Sequence, residues 1–144
     1  MNRRAALIRT VEFSAAHHYR RRDWSEEDNA RVFGAQSRPH GHDYRVEVEV
    51  AGSVHPETGF VVDLPVLDQL LDEVVGGLDN RDLNETIPEV RDGSMLPSTE
   101  SLAVWFWERL ESRIPGGASL ERVRVSEGRG LSGEVSRPAA GGAS

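Results

Sequence analysis

Between His42 and Val50 the chain alternates without a break. Tyr44, Val46, Val48 and Val50 are apolar, while Asp43, Arg45, Glu47 and Glu49 between them are charged. Only a backbone that sends successive side chains to opposite faces gives that pattern, so the segment is a strand with one face buried and the other in water. Half-buried strands of this kind belong to antiparallel sheets, whose buried face must be covered by another layer.

The rest of the chain supplies the partners. From Ala6 to His17, the residues Leu7, Arg9, Val11, Phe13, Ala15 and His17 share one parity, which puts His17 on the same face as Phe13 and turns His18 the other way. Ser25 is placed to cap a short helix, with Glu26, Glu27 and Asp28 in its first turn and Gly34 at its stop. Gly52 to Gly59 reads as a turn and Phe60 to Asp63 as a short return strand. Pro65 opens a helix with Leu67, Leu70, Leu71 and Val74 at helical spacing, ended by Gly76-Gly77. Residues 78–97 read as loop. Ser98 or Thr99 caps a further helix reaching about Ile114, with Leu102, Trp105, Phe106 and Leu110 on its core face. Val123, Val125 and Glu127 share a face of a third main strand, and Leu131 to Val135 pairs back after Gly128 and Gly130. The expectation is an α+β fold: an antiparallel four-stranded sheet with two helices packed on one face, one domain over residues 1–136, and a Gly/Ala-rich disordered tail over 137–144.

Two absences narrow the chemistry. The chain has no cysteine, which excludes disulfides, thiolate metal ligands and a thiol nucleophile. It has no lysine either, since all 17 basic residues are arginine, so Schiff-base catalysis through a lysine amine is excluded. The formal net charge of -7 argues against an extended nucleic-acid surface. The longest apolar stretches are too short to span a bilayer, and Met1 to Ala6 lacks the apolar run of a signal peptide, so the expected location is cytoplasmic with no membrane partner.

The remaining chemistry centres on histidine. His40-Gly41-His42 projects two imidazoles from one face of an extended backbone, within reach of a single ion. His17 ends the other strand on its apolar face, where antiparallel pairing can bring it alongside. Three neutral imidazoles leave a fourth position for water or substrate, the arrangement of a catalytic zinc. A His-x-His is often incidental. Here, however, His42 leads into the apolar face of Tyr44 and Val46, whereas a solvated pair would share parity with Arg45 and Glu47.

Phe13-Ser14-Ala15-Ala16-His17 followed by His40-Gly41-His42-Asp43-Tyr44 resembles the paired zinc signature of the 6-pyruvoyl- and 6-carboxy-tetrahydropterin synthases. Further blocks resemble that family in order: Thr58 to Asp63 before a helix, Leu78 to Asn84 in a loop, Pro97-Ser98-Thr99-Glu100 at a helix start, and Val125-Ser126-Glu127 in a strand. The resemblance implies the tunnelling fold, in which subunits of a homo-oligomer join their sheets into a barrel with sites between them. It implies zinc on His17, His40 and His42, and a small heterocyclic substrate near Thr99 and Glu100 and anchored by Glu127. A carboxylate suits that role because it accepts two parallel hydrogen bonds from an amino-pyrimidine edge.

The sequence departs from the family at its proton carriers. Gln36 stands four residues before His40, where the family's general base is a cysteine, and Asp79-Asn80 replaces an Asp-His pair. Carboxamides do not exchange protons near neutral pH as thiolates and imidazoles do. His18, Asp43, Asp79 and Glu100 are the remaining candidates to move a proton. Three readings follow, in order of preference: a zinc lyase or cyclase with altered chemistry, an ordinary 6-carboxy-tetrahydropterin synthase acting slowly on dihydroneopterin triphosphate, and a non-catalytic pterin- or purine-binding protein.

Overall fold

A computed structural model describes residues 3–139. In chain order its elements are β1 (Arg4–His17), α1 (Glu26–Phe33), a 3-10 turn (Gly34–Ser37), β2 (His40–Ser53), α2 (Leu64–Gly76), β3 (Arg81–Asp82), α3 (Leu83–Thr86), α4 (Pro88–Arg91), α5 (Thr99–Leu110), a second 3-10 turn (Glu111–Arg113), β4 (Ser119–Glu127) and β5 (Leu131–Ser136). The strands form one sheet in the order β3-β1-β2-β4-β5. Pairing is antiparallel throughout except at β3, which lies parallel to β1 at Ala15 and Ala16.

The alternation that marks β2 in the sequence is its burial pattern. Tyr44, Val46, Val48 and Val50 are at most 1% exposed, and Asp43 and Arg45 face solvent. Phe13, Ala15, Val123 and Val125 extend the apolar face across the neighbouring strands. Leu67, Leu70 and Leu71 of α2 and Leu102, Phe106 and Leu110 of α5 close over it. Each such side chain, fully buried, contributes about 1.5–3 kcal/mol. The opposite face is charged: Arg122 sits 3.7 Å from Glu47, 3.5 Å from Glu49 and 3.7 Å from Glu134.

The helix boundaries follow from side-chain caps. Ser25 Oγ accepts from the Asp28 N–H at 3.0 Å, Asp63 Oδ1 from Val66 at 3.3 Å, and Ser98 Oγ from Ser101 at 3.1 Å. Gly34, at φ 60°, stops α1. Among the described residues no helix is long and apolar enough to cross a membrane.

The sheet has five strands, not four. The additional strand is the two-residue β3, too short to show any period. It exists because the Asn80 N–H donates to the Ser14 carbonyl at 2.7 Å and Asp79 Oδ1 accepts from the Ser14 N–H at 2.9 Å, holding residues 79–82 against the β1 edge. Residues 78–97 are accordingly not all loop, since β3 runs into the short helices α3 and α4. Phe60 to Asp63 is not a strand. A turn closes it off, with the His55 N–H donating to the Phe60 carbonyl at 2.9 Å and the Gly59 N–H, at φ 78°, to the His55 carbonyl at 2.8 Å. Arg137, where a tail was expected to begin, bonds back to the Glu121 and Leu120 carbonyls, and residues 140–144 lie outside the described residues.

β5 crosses the N-terminus of α5 at Gly133. A Cβ there would meet Glu100 N at 2.7 Å and Thr99 C at 2.9 Å, both backbone atoms. Gly133→Ala must therefore push the start of α5 off the sheet and should cost about 1–3 kcal/mol. Gly130→Ala, with open space around it, should be nearly neutral. Urea denaturation of both variants checks this, and equal midpoints would refute the close approach.

Candidate functional site

The β1–β2 register builds the centre of the site. His17 pairs with His40, and Ala15 with His42, so the three histidines stand on one face at one end of the sheet. Their ring centroids are 4.6, 5.0 and 4.9 Å apart, and their ligand nitrogens all lie within 4.8 Å of one another. His17 is completely buried, and His40 and His42 are half-buried.

Two of the rings are fixed from behind. With the proton on Nδ1, His17 donates to the Pro97 carbonyl at 3.0 Å, and the Tyr44 hydroxyl lies 3.1 Å from the same nitrogen. His40 Nδ1 donates to the Arg38 carbonyl at 2.7 Å. This is how outer contacts set the tautomer of a ligating histidine, leaving the Nε2 lone pair free. The Nε2 atoms of His17, His40 and His42 are all buried, and none has a hydrogen-bond partner among the described residues. Burial pushes His17 down to about 4, against the opposing effect of the Pro97 carbonyl, so its ring is neutral near pH 7, as a ligand must be. The donor set fits a divalent ion such as zinc.

A carboxylate reaches the same place. Glu127, 8% exposed, pairs with Tyr44 across β4 and β2 and brings Oε2 to 3.6 Å from His17 Nε2 and 3.8 Å from His42 Nε2. Tyr19 packs 5.0 Å from His17 and 5.8 Å from Phe33. Burial, then Glu127 and Glu100, push its phenol up to about 12, so it remains protonated. The Tyr44 hydroxyl is also raised, by burial first and then by Glu127.

The other candidates are spread around this centre. Gln36 is exposed on the first 3-10 turn, which the Tyr19 N–H ties to the site by donating to the Gln36 carbonyl at 2.9 Å. Thr99 is buried, and its Oγ1 donates to Glu100 Oε1 at 2.7 Å, which holds the Glu100 carboxyl below its usual range. Asp43 points to the sheet's other face, where Ser14 Oγ donates to it at 2.6 Å. Asp79 sits at the β1 edge, bound to the Ser14 N–H. The His18 ring is not among the converging three, and its Nδ1 is buried without a partner. Among the described residues, the charge of Glu100 acts on Tyr19 and that of His18 on His17, while Asp43 and Asp79 gather around Ser14.

The 6-pyruvoyl tetrahydropterin synthase family profile matches residues 6–137. The chain belongs to this family. Human 6-pyruvoyl tetrahydrobiopterin synthase is 35% identical over 126 residues, covering 85% of each chain. The dihydroneopterin monophosphate aldolase of Pyrococcus furiosus is 32% identical over 125 residues, covering 87% of this chain and 91% of that one. The structure of Caenorhabditis elegans 6-pyruvoyl tetrahydropterin synthase superposes with a TM-score of 0.86 at 26% identity, covering 94% of this chain and 96% of that one.

In this family member, sequence reasoning missed Tyr44, Tyr19 and the carbonyls of Pro97 and Arg38. Tyr44 carried a signal, since it shares parity with His42. Backbone carbonyls carry none, because any residue supplies one. After equilibration with zinc and removal of excess, the protein should hold about one ion per chain. His40→Ala or His42→Ala should lose most of it. His55→Ala should not, because His55 is exposed and its Nδ1 accepts from the Glu57 N–H in a turn. Full zinc in the His40 and His42 variants by elemental analysis would refute the assignment.

Proposed function

We propose that the chain is a zinc-dependent lyase acting on a pterin, in which the proton is moved by groups other than the family's usual thiol and imidazole. The observation that carries this reading is the convergence of three unpartnered Nε2 atoms beside Glu127 Oε2, with carboxamides at the proton-carrier positions Gln36 and Asn80. Relatives that include both a tetrahydrobiopterin synthase and a dihydroneopterin monophosphate aldolase favour altered chemistry over lost chemistry.

Each residue's role follows from its position. His17, His40 and His42 hold the metal, which when bound supplies a Lewis acid toward a carbonyl or hydroxyl oxygen of the substrate. Glu127 and the Thr99–Glu100 pair present carboxylate oxygens to the amino-pyrimidine edge of the heterocycle. Tyr19, half-buried and protonated, walls off water and offers a neutral donor beside them. Glu100, whose charge acts on Tyr19 and which is not a metal ligand in this reading, is the candidate to accept a proton. Asp79 and Asp43, gathered around Ser14 and not among the converging histidines, are assigned to a neighbouring subunit's site.

The binding-only reading and the ordinary-synthase reading are separated from this one by product analysis. The zinc-loaded protein should convert dihydroneopterin triphosphate to a product other than the 6-carboxy one, as read by mass spectrometry; slow formation of the 6-carboxy product would favour the ordinary synthase, and no product the binding-only protein. Gln36→Cys with Asn80→His should not accelerate the native reaction. A gain of about 10²–10⁴-fold on dihydroneopterin triphosphate, in a protein with no better substrate, would show an impaired ordinary synthase.

A homo-oligomer is part of this reading, since β5 and most of β1 leave open strand edges. Light scattering should give a trimer-based or tetrameric assembly; a stable, active monomer would contradict it.

A further inference from the structure

Glu127 stands closer to the metal-binding nitrogens than a substrate anchor alone needs to. Its Oε2 lies 3.6 Å from His17 Nε2 and 3.8 Å from His42 Nε2, the atoms left free for an ion. Around a tetrahedral zinc with bonds near 2.0–2.2 Å, neighbouring donor atoms are separated by about 3.3–3.6 Å. Glu127 Oε2 is therefore at donor spacing, within a few tenths of an ångström, from two of the three imidazoles.

Its surroundings leave little else for that oxygen to do. Oε2 is buried and has no hydrogen-bond partner among the described residues. A buried carboxylate oxygen without a donor is costly unless a cation stands beside it. No arginine pairs with Glu127 among the described residues; the imidazoles of His17 and His42 lie beside it. The backbone keeps the side chain aimed. Glu127 is bonded into the sheet on both sides, opposite Tyr44 on β2 and Leu131 on β5, and the chain turns away immediately after it at Gly128, φ 61°.

We propose that Glu127 is the fourth ligand of the ion in the substrate-free protein, an inference that rests on the zinc reading of His17, His40 and His42. The carboxylate then has two competing partners, the ion and the amino-pyrimidine edge of the substrate, and its Oε2 serves one of them at a time. The free protein is closed to small ligands at the metal, and the position opens only when Glu127 is drawn to a heterocycle. An anchor that never touches the ion would instead leave the position open at rest.

The test uses the full chain loaded with cobalt(II) in place of zinc, without substrate. Azide is titrated while the visible ligand-field bands are followed, and zinc affinity is measured separately against a competing chelator. Wild type should resist azide at concentrations that change the spectra of Glu127→Ala and Glu127→Gln, and both variants should bind zinc at least about 10–100-fold more weakly. Glu127→Gln preserves side-chain volume and carries the test if the alanine variant does not fold. Equal azide response and equal zinc affinity in all three proteins would overturn the inference while leaving the three-histidine site intact. A wild type that retains no metal would overturn both.

Discussion

The antiparallel register between β1 and β2 is the constraint on which the rest depends. Setting His17 opposite His40 places three imidazoles from two distant segments on one face, and a slip of a single residue would send His17 to the other side of the sheet. That register is held by the buried row Tyr44, Val46, Val48 and Val50 against Phe13 and Ala15, so the core and the site are specified by the same alternation. The stacking of Phe13 on Tyr44, with centroids 4.9 Å apart and rings 8° from parallel, ties the last of the core to the first of the site.

Much of this was legible in the sequence, wherever a residue's role depends on period or local chemistry. The strands of ordinary length, the caps at Ser25 and Ser98, and the facing of His17, His40 and His42 all follow from spacing and side-chain type. What was hidden depends on distant partners. β3 is created by the bonds of Asp79 and Asn80 to Ser14, and Asn80 adopts φ 60° to make them, which no window of two residues reveals. Phe60-Val61-Val62 has the composition of a strand, but the turn at Gly59 folds it back and Val62 is buried as part of a loop. The approach of Glu127 to the histidines required the β2–β4 register, which parity could suggest but not place.

The site gathers His17, His40, His42 and Glu127, and carboxamides stand at Gln36 and Asn80. Three converging imidazoles, a buried carboxylate and two protonated tyrosines surround one point, a setting in which a cation is stabilised. Gln36 is tied to Tyr19 through its backbone carbonyl, and its carboxamide does not titrate near neutral pH. Under the proposed function, this scaffold keeps binding and charge stabilisation while other groups take the acid–base step.

The most direct test of the central claim is zinc-edge X-ray absorption on the zinc-loaded, substrate-free protein. The expected spectrum has a nitrogen and oxygen shell at about 2.0–2.1 Å with the outer-shell scattering of three imidazoles. A six-coordinate oxygen shell without imidazole scattering, or scattering from a single histidine, would contradict it.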